Sequence, residues 1–234
     1  MQLIPEIARS LPTLRLIPVR AVLLRQIHFS GIECLPLVMV LGVIVGWLIV
    51  FEVASLVGQN VALAVRMLTW MTLRELGPLL VALIVVARSC SAVTSELAAM
   101  RVHGEVDALE RMGISPIAYL IMPRLLGMVT ALLALIITFD IIALTTGLVV
   151  VQVTHDVGWD TELSLFLQIA NLGDIYISFF KSLTFGVLMG VISCHHGLAV
   201  SGALADIPRA VSRAVVTCLA NVFVWDVLLT VIGG

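Results

Sequence analysis

The chain has 234 residues, of which 61% are hydrophobic and 12% charged, with a formal net charge of −2. Soluble domains typically hold about 45–50% apolar and about 25% charged residues, so this balance excludes a water-solvated fold and points to lipid as the solvent. Cys34, Cys90, Cys194 and Cys218 are far apart and form no C-x-x-C, so they read as small apolar packing residues.

Residues 1–30 scatter Arg9, Arg15, Arg20 and Arg25 among Leu and Ile, interrupted by Pro12 and Pro18. Arginines ahead of any uninterrupted apolar run argue against a cleavable signal. The prolines favour short interfacial helices over one long one. The first uncharged run, CLPLVMVLGVIVGWLIVF at 34–51, is long enough for one crossing, and its Gly42 and Gly46 would allow close helix approach. A second span from about Met67 to about Arg88 carries Arg74 and Glu75, then Gly77-Pro78. Proline deletes a backbone hydrogen bond, which predicts a kink there.

The most polar stretch follows, SELAAMRVHGEVDALERMGISP at 95–116. Val106, Leu109 and Met112 recur three apart, with Glu105, Asp107, Glu110 and Arg111 around them. This predicts a short amphipathic helix at about 104–113, and Gly113 suits its C-cap. The spacing fits either a helix lying on headgroups or one docking a partner; the acidic residues favour a protein, since anionic lipid would repel them. A third span runs from Ile117 past Asp140 to about Val151, followed by an acidic loop at about 152–174 with no Lys or Arg. The fourth, Ile175 to about Cys194, contains Lys181, and the fifth, about Arg209 to Ile232, contains Asp226. The fold class expected is an all-α integral membrane protein: an interfacial segment at 1–30 and a five-helix membrane domain at 31–234.

Five spans put the termini on opposite sides. Arg9, Arg15, Arg20, Arg25, Arg88, Arg101, Arg111, Arg124, Arg209 and Arg213 then share one side, while Arg66 lies on the other. The positive-inside rule makes the N-terminus cytoplasmic and the C-terminus external.

Arg74, Glu75 and Lys181 lie about two turns in from the same side, at similar depth. Ionisable side chains in the bilayer cost roughly 2.5–3.5 kcal/mol each and pair or line cavities, so Glu75 with Lys181 is the expected pair. The cluster reads as a functional site by default, the alternative being a snorkelling anchor. Glu52 could rim a cavity or sit at the interface.

Other chemistries fail on spacing. Cys194, His195 and His196 are consecutive, whereas two ligands on one helix face need i, i+4 spacing, so no metal site is expected. Asp140 and Asp226 lack the Gly-x-Gly-Asp setting of an intramembrane aspartyl protease. They could instead serve, with Glu75, an ion-coupled transporter. A P-loop needs glycine before Lys-Ser, and Phe180 stands there before Lys181-Ser182. The chain cannot hydrolyse ATP alone.

The run RELGPLLVALIVVARSCSAVTSELAAMRVHGEVDALERMGISPIAYLIMPR, with IYISFFKSLTFG and DIPRAVSRAVVTCLANVFVWDVLLTVIGG in order after it, strongly resembles the MlaE/YrbE permeases of MCE-linked lipid ABC transporters. Span one departs from the family's usual Gln-Gly-rich end with WLIVFEVASLVGQN. The resemblance implies a homodimeric inner-membrane permease with phospholipid as substrate and no nucleic-acid partner. It implies no cofactor in this chain, with ATP and Mg bound by a cytoplasmic ATPase docked at Glu105, Val106, Asp107, Leu109, Glu110, Met112 and Gly113. It further implies an MCE-domain protein on the periplasmic side. Arg74, Glu75 and Lys181 would then form a charged cluster beside a lipid cavity walled by Leu48, Ile49 and Phe51 and rimmed by Glu52.

Overall fold

The computed structural model describes residues 17–57, 61–155, 166, 168–169, 172–200 and 203–233, and these are helical almost throughout. Most of the expected interfacial segment, residues 1–16, and most of the outer loop lie outside the described residues. Helix α1 (Ile17–Ile27) leads through a π turn at His28–Ile32 into α2 (Leu35–Val57). The next rod, α3 (Val61–Val102), stays helical for 42 residues, interrupted only in register by π turns at Met71–Leu76 and Val86–Cys90. A short helix α4 (Glu105–Arg111) turns the chain into α5 (Met122–His155), which follows another π turn at Ile117–Ile121. Helices α6 (Leu172–Leu198) and α7 (Ile207–Gly233) complete the bundle.

Five described segments are long and apolar enough to cross a membrane: Val22–Val53, Val61–Val102, Ile117–Thr154, Gly173–Leu198 and Leu204–Ile232. The fold is therefore that of an all-α integral membrane protein. Several spans outrun the lengths expected from uncharged residues alone. At 1.5 Å per residue α3 is about 63 Å long, against roughly 30 Å of hydrocarbon, so its last turns carry the polar 95–102 stretch as helix rather than loop.

Helix α5 is the spine. Helices α1, α2 and α6 all pack along it, and α6 also meets α7 and the second half of α3. Phe139, Met128, Leu132 and Leu135 of α5 are fully buried against Phe185 and Met189 of α6. Lipid tails are as apolar as leucine, so contact between such helices comes from close packing rather than water release. Glycines supply the closeness. A Cβ at Gly46 would overlap the carbonyl oxygen of Ala143, and one at Gly42 would come within 3.1 Å of Ile142. A second pair in α6, Gly186 and Gly190, seats the same way on Val129 and Leu125 of α5. Gly46→Leu should cost about 1–3 kcal/mol by overpacking. The thermal midpoint of the detergent-solubilised chain checks this, and an unchanged midpoint would remove the glycine seam from the account.

Candidate functional site

Lys181 is fully buried on α6 and sits at the centre of the polar contacts at the end of the bundle away from α4. Its Nζ donates to the Arg74 carbonyl at 2.8 Å, to the Thr230 hydroxyl at 2.8 Å and to Asp226 Oδ1 at 3.0 Å. Glu75 Oε2 lies farther off, at 3.4 Å. Thr230 in turn donates to Glu75, 3.1 Å from Oε2, so the hydroxyl links the ammonium to the second carboxylate. Three helices thus contribute to one hydrogen-bonded group, in which one ammonium faces two carboxylates.

The Arg74 carbonyl is available for a reason written in the sequence. Pro78, four residues on, has no N–H to give it, and a carbonyl freed inside a membrane must find another donor. The Lys181 ammonium supplies it. At the expected kink the backbone widens into a π turn, closed by the Gly77 N–H on the Thr72 carbonyl. Gly77 is also pressed against the neighbouring helix, since a Cβ there would lie 2.5 Å from Asp140 Oδ1. Pro78→Ala would restore an N–H to compete with Lys181 for that carbonyl, an exchange worth about 1 kcal/mol. We expect thermal stability to hold while transport falls; a variant with wild-type transport would show that the freed carbonyl is incidental.

Arg74 is half-buried, its guanidinium carbon 6.0 Å from the Trp70 ring centre. Beside the cluster, Tyr176, Ile177, Phe180, Leu229 and Ile232 join Lys181 in lining a groove of about 200 Å³. Its wall is almost wholly apolar, with a cationic residue among its lining. Asp140 stands apart: Ser178 donates to its Oδ2 at 3.5 Å, and no hydrogen bond joins it to Asp226 among the described residues.

At the other end, α4 is bounded by two left-handed glycines, Gly104 at φ 74° and Gly113 at φ 75°. The Ile114 N–H bonds the Leu109 carbonyl and the Gly113 N–H bonds that of Glu110, the paired closure of a Schellman C-cap. Val106 is buried and Leu109 packs against the same core, while Met112 is 65% exposed. The three do not share one face: two anchor the helix inward and the third is left outside. Glu105 and Glu110 are exposed, and Asp107 pairs with Arg101 of α3.

The family described as permease MlaE matches residues 23–232. The chain belongs to the MlaE permease family. A probable ABC transporter permease protein of Synechocystis is 28% identical over 212 residues, covering 88% of this chain and 80% of its own. Its counterpart in Rickettsia prowazekii is 28% identical over 90% of this chain and 82% of its own length. The chloroplastic protein trigalactosyldiacylglycerol 1 of Arabidopsis thaliana is 30% identical over 67% of this chain and 45% of its own. An MlaE-family permease is a membrane subunit of an ABC-type transporter, which works with an ATPase subunit.

Within this MlaE-family permease, Arg74, Glu75 and Lys181 lie together, and Asp226 joins them. Depth in the sequence points to Glu75 as the partner of Lys181, but Asp226 is the nearer carboxylate. Counting inward from the C-terminal end of span five would have found it: Asp226 lies seven residues from Gly233, about 10 Å of helix, much as Lys181 lies nine from Leu172. Thr230, one turn beyond Asp226, carries no charge and so gave no signal. Leu48, Phe51 and Glu52 are exposed on α2, whereas Ile49 is 3% exposed and packs with Val65, Leu68 and Leu144. Ile49 therefore belongs to the core, not to the face formed by Leu48 and Phe51.

Proposed function

We propose that this permease moves phospholipid between the inner membrane and an MCE-domain partner, as a homodimer powered by a separate ATPase subunit. The observation that carries the reading is the apolar groove whose lining includes the buried Lys181. That pairing suits a molecule with acyl chains and a phosphate. The name of the Arabidopsis relative, which contains a diacylglycerol lipid, supports the same substrate class. In this reading the N-terminus and α4 are cytoplasmic and the C-terminus is periplasmic. ATP and Mg are bound by the partner, and the exposed end of α4 receives its movement. Leu48 and Phe51 face the acyl chains with Glu52 at the rim, and Arg74 and Lys181 meet the phosphate or hold the groove mouth.

Affinity purification of the tagged chain should bring down an ATPase and an MCE-domain protein. In vesicles holding that complex, Arg74→Ala and Glu75→Ala should each slow ATP-dependent lipid transfer at least about tenfold, the loss of one charge-assisted contact. Recovering neither partner, or full transfer from both variants, would overturn the reading. Transfer that follows a proton gradient without an ATPase would favour an ion-coupled carrier using Glu75, Asp140 and Asp226 instead.

A further inference from the structure

A second cavity, with several charged side chains in its lining, lies far from the Lys181 cluster. It holds about 550 Å³ between α1, the second half of α3 and the start of α5, at the α4 end of the bundle. Its lining includes Arg25, His28, Phe29, Glu96, Tyr119 and Arg124. Arg124 is the unusual member: its side chain is 96% buried, and its guanidinium is only partly used. Nη2 reaches Glu96 at 3.1 Å and lies 3.8 Å from the Met100 sulfur, whereas the buried Nη1 has no hydrogen-bond partner. A buried charged N–H without a protein acceptor is costly, and a group that enters the cavity with an acceptor oxygen would relieve it.

The charges around it narrow the ligand. Glu33 also lines the cavity, but it is engaged by Arg88, and Glu96 is engaged by Arg124. Arg25 at the end of α1 and His28 in the π turn after it stand exposed, so two donors sit at the mouth and one arginine fork sits within. A planar fork with a free N–H is suited to phosphate oxygens, and Phe29 with Val22, Val93 and Leu120 gives that oxyanion an apolar flank. We infer that this cavity binds a phosphate group at Arg124, and that the phosphate is the headgroup of a phospholipid in the leaflet at the α4 end. It is a second lipid site, at the opposite end from the groove at Lys181, and only its ligand class is shared with the function proposed above.

The test uses the full chain in phosphatidylcholine vesicles containing a trace of phosphatidylglycerol with a photoreactive group beside the phosphate. After illumination, peptides containing Phe29 and Tyr119 should carry the label. Arg124→Lys, which keeps a cation for Glu96 but removes the fork, should cut labelling about tenfold. Arg25→Gln, at an exposed position where folding is not at stake, should cut it severalfold. Equal labelling in wild type and both variants, or no label on these peptides, would overturn the inference. Displacement of the label by inorganic phosphate would assign the site to free phosphate and overturn the lipid assignment. Lys181→Met/Asp226→Leu should label like wild type while transferring no lipid, so wild-type ATP-driven transfer with labelling intact would count against the transport reading alone.

Discussion

Lys181→Met should be the most damaging single substitution in its hydrogen-bonded cluster. Removing the ammonium leaves Asp226 nearly buried without its counterion, strips a donor from Thr230 and orphans the Arg74 carbonyl. Breaking a buried pair from one side typically costs about 3–5 kcal/mol, because the remaining charge has lost its compensation. The expected result is a large fall in thermal midpoint together with complete loss of lipid transfer. The double variant Lys181→Met/Asp226→Leu separates the two losses. Replacing both members of a buried pair by apolar groups is often close to neutral, so the midpoint should largely recover. Transfer should stay absent, because the groove has lost its cation. A double variant that transfers lipid like the wild type would reduce the cluster to a brace.

The second large effect is expected at α4. Its inward side is fixed by Val106 and Leu109, and its outward side presents Glu105 and Glu110 with Met112 at the end. Glu105→Lys/Glu110→Lys leaves that anchoring intact but reverses the charge of the face proposed to dock the ATPase. Like charges brought together across an interface cost several kcal/mol, so binding of the ATPase should weaken about 100-fold, and transfer should fall with it. Titration of the purified subunits measures the affinity. An unchanged affinity would move the docking surface away from the acidic face of α4. Val106→Asp should act differently, loosening α4 from the bundle and lowering stability even without a partner.

Much of this was readable beforehand, for identifiable reasons. Long uncharged runs have few alternatives once lipid is the solvent, so the five spans stood out. Gly113 announced the end of α4 because a left-handed cap favours glycine. The ends of the spans were less legible, since α3 carries helix straight through Glu96 and Arg101, residues that look like loop on hydropathy alone. Val106, Leu109 and Met112 fitted a three-residue spacing, but the Schellman turn ends the helix before Met112 can share its face. Asp226 was visible as an isolated charge yet not as a partner, because only packing decides which of two carboxylates an amine reaches. The π turn was hidden altogether: proline signals a missing donor, but not the wider turn that accommodates it.

Helix α3 has a mechanical meaning of its own. It leaves the α4 end and arrives at Arg74 and Glu75 without passing through a single loop. One continuous helical path therefore joins Arg101 to the residues that touch Lys181. The wide turns at Val86–Cys90 and Met71–Leu76 are its two slack joints. Each holds one residue more than an α turn would, so taking up that slack would rotate everything beyond it by about 100°. The permease thus carries, in a single helix, both the drive line and the play that lets it turn.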